Sequence, residues 1–165
     1  RRVGIHEAGH AVISELVKPG SVSSLTIVPR GRALGFMRKN TPEHDQYLYT
    51  RQELEEQIMV ALGGAVAEDM YFGSRSTGAR NDFEQAWELA KEIITSGMSS
   101  LGVIAVTEVP SELVFKECAD ILKSMEEKTA ALLEENRHLL QAVSASLLEE
   151  ETLDRARFLD IIRKA

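Results

Sequence analysis

Residues 6 to 10 read His-Glu-Ala-Gly-His, and this pentapeptide limits the possible folds more than any other stretch. The apolar positions Ile5, Ala8, Val12, Ile13, Leu16 and Val17 around it keep helical spacing, and Pro19-Gly20 ends the run. On a helix, His6 and His10 lie on one face, one turn apart. Both imidazoles can then reach one zinc ion at about 2.0–2.1 Å. Glu7 is rotated by about 100° from His6. It is badly placed to be a third ligand, but it reaches a water beside the ion. A carboxylate there takes the water's proton as the oxygen attacks a carbonyl, then protonates the leaving amine. The spacing suits amide hydrolysis. A shuffled chain of this composition, with its 4 histidines, yields about 0.01 such matches. The fold must therefore bring a third ligand to this helix from elsewhere.

The rest of the sequence narrows the choice. A site of the form H-E-x-x-H-x-x-G-x-x-H needs Gly and His where this chain has Ile13 and Leu16, so that class is excluded. His44 falls in a polar loop and His138 on a charged helix flank, which predicts solvated side chains. Cys118 lies on an apolar stripe and reads as a buried thiol. Acids remain. Asp82 aligns with Ala86, Leu89 and Ile93 on the inward side of its helix, and an inward acid needs a partner or a metal. Asn81 or Asp82 could equally cap that helix, and spacing alone leaves the two readings nearly even. Glu68 competes, as a ligand or as an acceptor for a histidine N–H.

The chain has 165 residues, 44% of them hydrophobic, which suits a single domain burying roughly 70% of its unfolded surface. Residues 1–100 carry the metal site and a β element, and residues 111–165 the C-terminal helices. The net charge of −7 argues against nucleic-acid binding. A single cysteine excludes an intrachain disulfide and fits a reducing compartment. No apolar run reaches the ~18 residues of a membrane span. The chain starts at Arg1, which reads as the cut end of a larger protein. Three G-x-x-x-x-G spacings occur, at Gly4–Gly9, Gly73–Gly78 and Gly97–Gly102. None is followed by Lys, so no phosphate-binding loop and no bound ATP are expected.

The pattern predicts a mainly α fold. A strand is expected over Ser23–Val28, ended by Pro29-Arg30-Gly31, with a second over Leu34–Lys39 completing a small hairpin beside the first helix. Thr50 and Glu53 fit a capping box that opens a helix to about Tyr71. Gly63-Gly64 inside it costs roughly 1 kcal/mol each against Ala, which predicts a close neighbour. A helix follows from Asp82 to about Ser96. After "GMSSLGVIAVTEVP" the chain reads as helical to its end, as a C-terminal bundle.

The segments "HEAGHAV", "TIVPRGRALGF", "YLYTRQELEEQIMVALGGAVAED", "FGSRSTGARNDFEQAWELAK" and "LLEEETLD" together resemble the proteolytic domain of the FtsH family of ATP-dependent zinc metalloproteases. The resemblance spans nearly the whole chain. It implies one Zn²⁺ per chain held by His6, His10 and Asp82, with Glu7 as catalytic base. It also implies unfolded or membrane-extracted protein substrates, a homo-hexameric ring, an ATPase module upstream, and a membrane-anchored parent facing the cytoplasm or an organelle matrix. Two alternatives to an endopeptidase are a catalytically silent ring-assembly module and an H-E-x-x-H hydrolase of small peptides. A further expectation is that the strand "SSLTIV" has a free edge near the metal. Leu25, Thr26, Ile27 and Val28 would then pair with an extended peptide.

Overall fold

The computed structural model describes residues 1–29, 36–39 and 48–165. His44, Leu34, Gly35 and the end of the first strand's expected stop, Arg30-Gly31, lie outside the described residues. Six α-helices and three short strands are present among those described: α1 (Arg2–Val17), β1 (Val22–Thr26), β2 (Phe36–Lys39), α2 (Arg51–Phe72), α3 (Arg80–Thr95), α4 (Ser111–Glu135), α5 (Arg137–Glu150), β3 (Thr152–Asp154) and α6 (Arg155–Lys164). The mainly α expectation, with a small sheet beside the first helix, holds.

α1 is the centre of the molecule. Every residue from Gly4 to Ser14 is buried, so this helix has no solvent face along its middle. α2 packs along one side of it and α5 along another. A helix that buries its whole circumference must also bury its polar residues, and here these are His6, Glu7, His10 and Ser14. α1 and α2 cross backbone to backbone. A Cβ on Gly9 would lie 2.3 Å from the Gly63 carbonyl oxygen, and one on Gly63 would lie 2.8 Å from that of Gly9. This is the close neighbour that the paired glycines predicted.

The predicted capping box is present. The Thr50 side chain accepts from the Glu53 backbone N–H, and the Glu53 carboxylate accepts from the Thr50 N–H at 3.2 Å. At its other end α2 stops at Gly73, whose φ of 65° is left-handed and suits glycine. α3 turns Ala86, Ala90, Ile93 and Ile94 inward, and α5 turns Leu140, Val143 and Leu147 inward. Cys118 is fully buried and His138 exposed, as read from the sequence.

Two expectations about the sheet need correcting. The C-terminal region is not helical throughout. Thr152–Asp154 forms β3, and the antiparallel sheet runs β2-β1-β3. β1 is therefore the central strand and offers no free edge. Leu25 pairs with Met37 on one side and Leu153 on the other, and its side chain is fully buried. The Thr26 hydroxyl donates to the Glu151 carbonyl at 3.2 Å, and the Ile27 N–H donates to the same oxygen at 3.0 Å. The Val28 N–H is taken by Thr26 Oγ1 at 3.0 Å. Leu25 and Thr26 are thus paired on both sides and Ile27 is tied to Glu151, so these three offer no free edge of the kind expected, while Val28 lies beyond the strand and is exposed. β2 is an edge strand and packs against α1.

Candidate metal centre

The buried middle of α1 puts His6 and His10 one turn apart, and the rings meet edge to face with centroids 4.6 Å apart. Each Nδ1 is already committed. His10 Nδ1 lies 2.6 Å from the Val60 carbonyl oxygen, which can only accept, so this nitrogen carries the proton. His6 Nδ1 lies 2.8 Å from Glu68 Oε2. Both Nε2 atoms are thereby turned toward the same point, and they lie 3.0 Å apart.

The first turn of α3 supplies a third atom. Asp82 Oδ2 lies 3.0 Å from His6 Nε2 and 3.2 Å from His10 Nε2. Asp82 does not cap its helix: the N-cap is Ala79, with no side-chain cap bond. Three such atoms facing one another must share a proton or a cation. Ligands about 2.0–2.1 Å from a tetrahedral ion would be about 3.3 Å apart. The observed spacings are within a few tenths of an ångström of that. His6, His10 and Asp82 are the set among the described residues whose donor atoms could share one ion.

Gly64 makes the space for this convergence. A Cβ there would stand 2.5 Å from His6 Nε2 and 2.7 Å from His10 Nε2. The second α2 glycine is therefore required by the imidazoles, and the first by the helix crossing.

Glu68 is completely buried and forms the next layer. Its other oxygen, Oε1, accepts from Arg2 Nη1 at 2.8 Å. Arg2 also donates to the Ser74 carbonyl oxygen and to Ser74 Oγ, each at 3.1 Å, and its guanidinium lies 4.4 Å from the Phe72 ring centroid. Burial works to raise the pKa of Glu68, but hydrogen bonds from Arg2, His6 and Ser76 outweigh it and hold the carboxyl below its ordinary value. Arg2 was not read as a site residue. Arg2 stands one turn before His6 on the same face of α1, but an arginine near a chain end reads as a solvated charge, and its contact with Glu68 depends on where α2 lies.

Glu7 is buried and lines a groove of about 1170 Å³ together with His6, His10, Met37 and Asp82. Burial raises its pKa, the two histidines oppose this, and Asp82 adds to the rise. For Asp82, burial is outweighed by the hydrogen bonds to His10 and His6, which lower its pKa to about 2. Burial likewise pulls His6 down, but hydrogen bonds to Asp82 and Glu68 and the Glu7 charge raise it to about 9.

The family model of peptidase family M41 matches residues 1–161. The chain belongs to that family. Among its M41 relatives, it is 42% identical over 169 residues to the ATP-dependent zinc metalloprotease FtsH 2 of Symbiobacterium thermophilum, covering 93% of this chain and 28% of that protein. It is 38% identical to FtsH 2 of a Thermoanaerobacter species, covering 90% of this chain and 30% of that protein. It is 36% identical to FtsH of Cupriavidus metallidurans, covering 95% and 27%. The chain thus spans less than a third of the length of these M41 relatives.

Proposed function

We propose that this chain is a zinc-dependent endopeptidase domain that cleaves unfolded or membrane-extracted proteins fed to it by an ATPase. His6, His10 and Asp82 hold the zinc, and Glu7 is the general base. The observation that carries the reading is the convergence of His6 Nε2, His10 Nε2 and Asp82 Oδ2 within 3.0–3.2 Å, at a groove lined by Glu7. When bound, zinc polarises a peptide carbonyl and acidifies an adjacent water. Glu7, with its raised pKa, accepts the water's proton and returns it to the departing nitrogen. Glu68 and the Val60 carbonyl keep both imidazoles in the tautomer that presents Nε2.

An extended substrate would pair with β2, the edge strand whose Met37 lines the groove. Backbone pairing tolerates many side chains, as a peptidase of unfolded chains requires. By relation to the FtsH proteins, the ATPase lies elsewhere in the parent protein, which assembles as a homo-hexamer and is anchored to a membrane. None of the described helices is long and apolar enough to cross one. Glu7 and all three donors are present, which favours an active peptidase over a silent ring-building module. The test is degradation of casein by the chain with added Zn²⁺. Cleavage of casein at internal bonds is expected. Activity confined to the ends of short peptides would favour a small-peptide hydrolase instead.

A further inference from the structure

The groove that holds Glu7 has two unlike ends, and hydrogen bonds show which is which. Glu68 stands behind His6, with Arg2 and Ser76 bonded to it. Val60 stands behind His10. Along α2, the direction from His6 to His10 therefore runs backward in sequence, from Glu68 past Gly64 to Val60. At the His6 end the groove is lined by the polar side chains of Arg2, Glu68 and Ser76.

Residues 73–79 join α2 to α3, and helices joined by so short a connection run antiparallel. The same direction is then forward along α3, from Asp82 toward Leu89. Leu89 lies about 10.5 Å along α3 from Asp82 and only about 20° around it, so the two share one face. Val60 lies about 6 Å along α2 from Gly64, the residue that faces both Nε2 atoms. Val60, Ala61 and Leu89 all line the same groove as Glu7 and the three donors. Leu89 is half-buried and packs against the core, and Val60 and Ala61 are buried. The His10 end is thus apolar on both helices. Gln57 and Gln85, which also line the groove on these faces, bring amides and no charge.

A peptide with its carbonyl at the donors lies in this groove, because Glu7 and all three donors open into it. An extended peptide advances about 3.3 Å per residue, so its first two residues toward the His10 end pass Val60, Ala61 and Leu89. We propose that these three side chains form a subsite for one bulky apolar side chain, within two residues of the cleaved bond and on one flank only. This rests on the peptidase reading and names what that peptidase selects. The opposite flank passes Arg2, Glu68 and Ser76, which give an apolar side chain nothing to bury against. Unfolded segments present the apolar side chains that folded proteins bury, so such a subsite suits their cleavage. Burying a Leu or Phe side chain there is worth about tenfold in kcat/KM, the low end of full burial.

Casein would be digested briefly with the zinc-loaded chain, and the cleaved bonds located by mass spectrometry. Leu and Phe are expected to be enriched about tenfold over Ser at one position within two residues of the bond, on a single flank. Matched peptides with Leu or Ser at that position are expected to differ about tenfold in Kd for zinc-loaded Glu7→Gln, by calorimetry. Leu89→Asn keeps the size of the side chain and makes it polar. It is expected to narrow both ratios to within about twofold, with zinc stoichiometry unchanged by metal analysis. Leu89→Phe fills the space and is expected to move the favoured side chain from Leu and Phe to Ala and Val. No apolar enrichment, equal enrichment on both flanks, or a preference that both Leu89 variants leave unaltered overturns the subsite and leaves the peptidase reading standing. No internal cleavage of casein by the zinc-bound chain overturns the peptidase reading and the subsite with it.

Discussion

Glu7 and Asp82 face the same two imidazoles with opposite consequences. Burial keeps the Glu7 pKa high, which suits a group that must both take and return a proton. Hydrogen bonds to the imidazoles keep Asp82 at about 2, which suits a permanent anion. On the proposed reading, two carboxylates near one site are divided into base and ligand by their surroundings. Glu7→Gln keeps the shape of the side chain and removes the base. It is expected to retain one zinc per chain and to lower casein cleavage by about 10²–10⁴-fold, measured by metal analysis and initial rates. Arg2 gives a second test at this scale. Arg2→Ala leaves the buried Glu68 without its cation and loosens the His6 ring. Zinc affinity is expected to fall about tenfold in competition with a chromophoric chelator, and Arg2→Lys to recover part of it.

Helices α1 and α2 act as one element because glycines let their backbones touch. Gly9, at the helix crossing, and Gly64, beside the imidazoles, have separable duties, and substitution should show it. Gly9→Ala forces a methyl group against the Gly63 carbonyl, with no flexible side chain to give way. Overpacking of this kind costs about 1–3 kcal/mol, so the melting temperature is expected to fall by about 2–12 °C for a domain of this size. Gly64→Ala puts its methyl group against both Nε2 atoms. Zinc binding by calorimetry is expected to weaken far more than the melting temperature of the metal-free protein changes. If Gly64→Ala binds zinc normally, the imidazoles are not confined as described.

For the molecule as a whole, β3 ties the C-terminus to the first third of the chain. Leu153 is fully buried and pairs with Leu25. Leu153→Ala is expected to cost about 2–5 kcal/mol in urea unfolding, comparable to losses in a helix core. Zinc removal should act differently. The core, drawn from all six helices and the sheet, is a continuous cluster of apolar side chains extending well beyond the three donors. A strong chelator is expected to abolish casein cleavage while leaving far-UV circular dichroism unchanged, with a few degrees lost from the melting temperature through ligand linkage.

Local chemistry was readable wherever one turn of chain sufficed to express it. The His6–Glu7–His10 spacing, the Thr50–Glu53 capping box and the buried stripe that carries Cys118 depend on helix geometry alone, so the sequence specifies them directly. The fully buried stretches of α1 and α2 were only partly legible, because a helix with no solvent face has no polar–apolar period to read. Whether Asp82 or Glu68 faces the Nε2 atoms could not be decided from spacing, since both acids point inward from different helices. The packing of α3 against α2 sets Asp82 at Nε2 and leaves Glu68 behind Nδ1. The central place of β1 was hidden for a related reason: a three-residue strand is too short to show alternation, and its partner lies some 126 residues away. Period and spacing report neighbours within a few residues. Contacts closed over seventy or more residues are decided by which surfaces pack together.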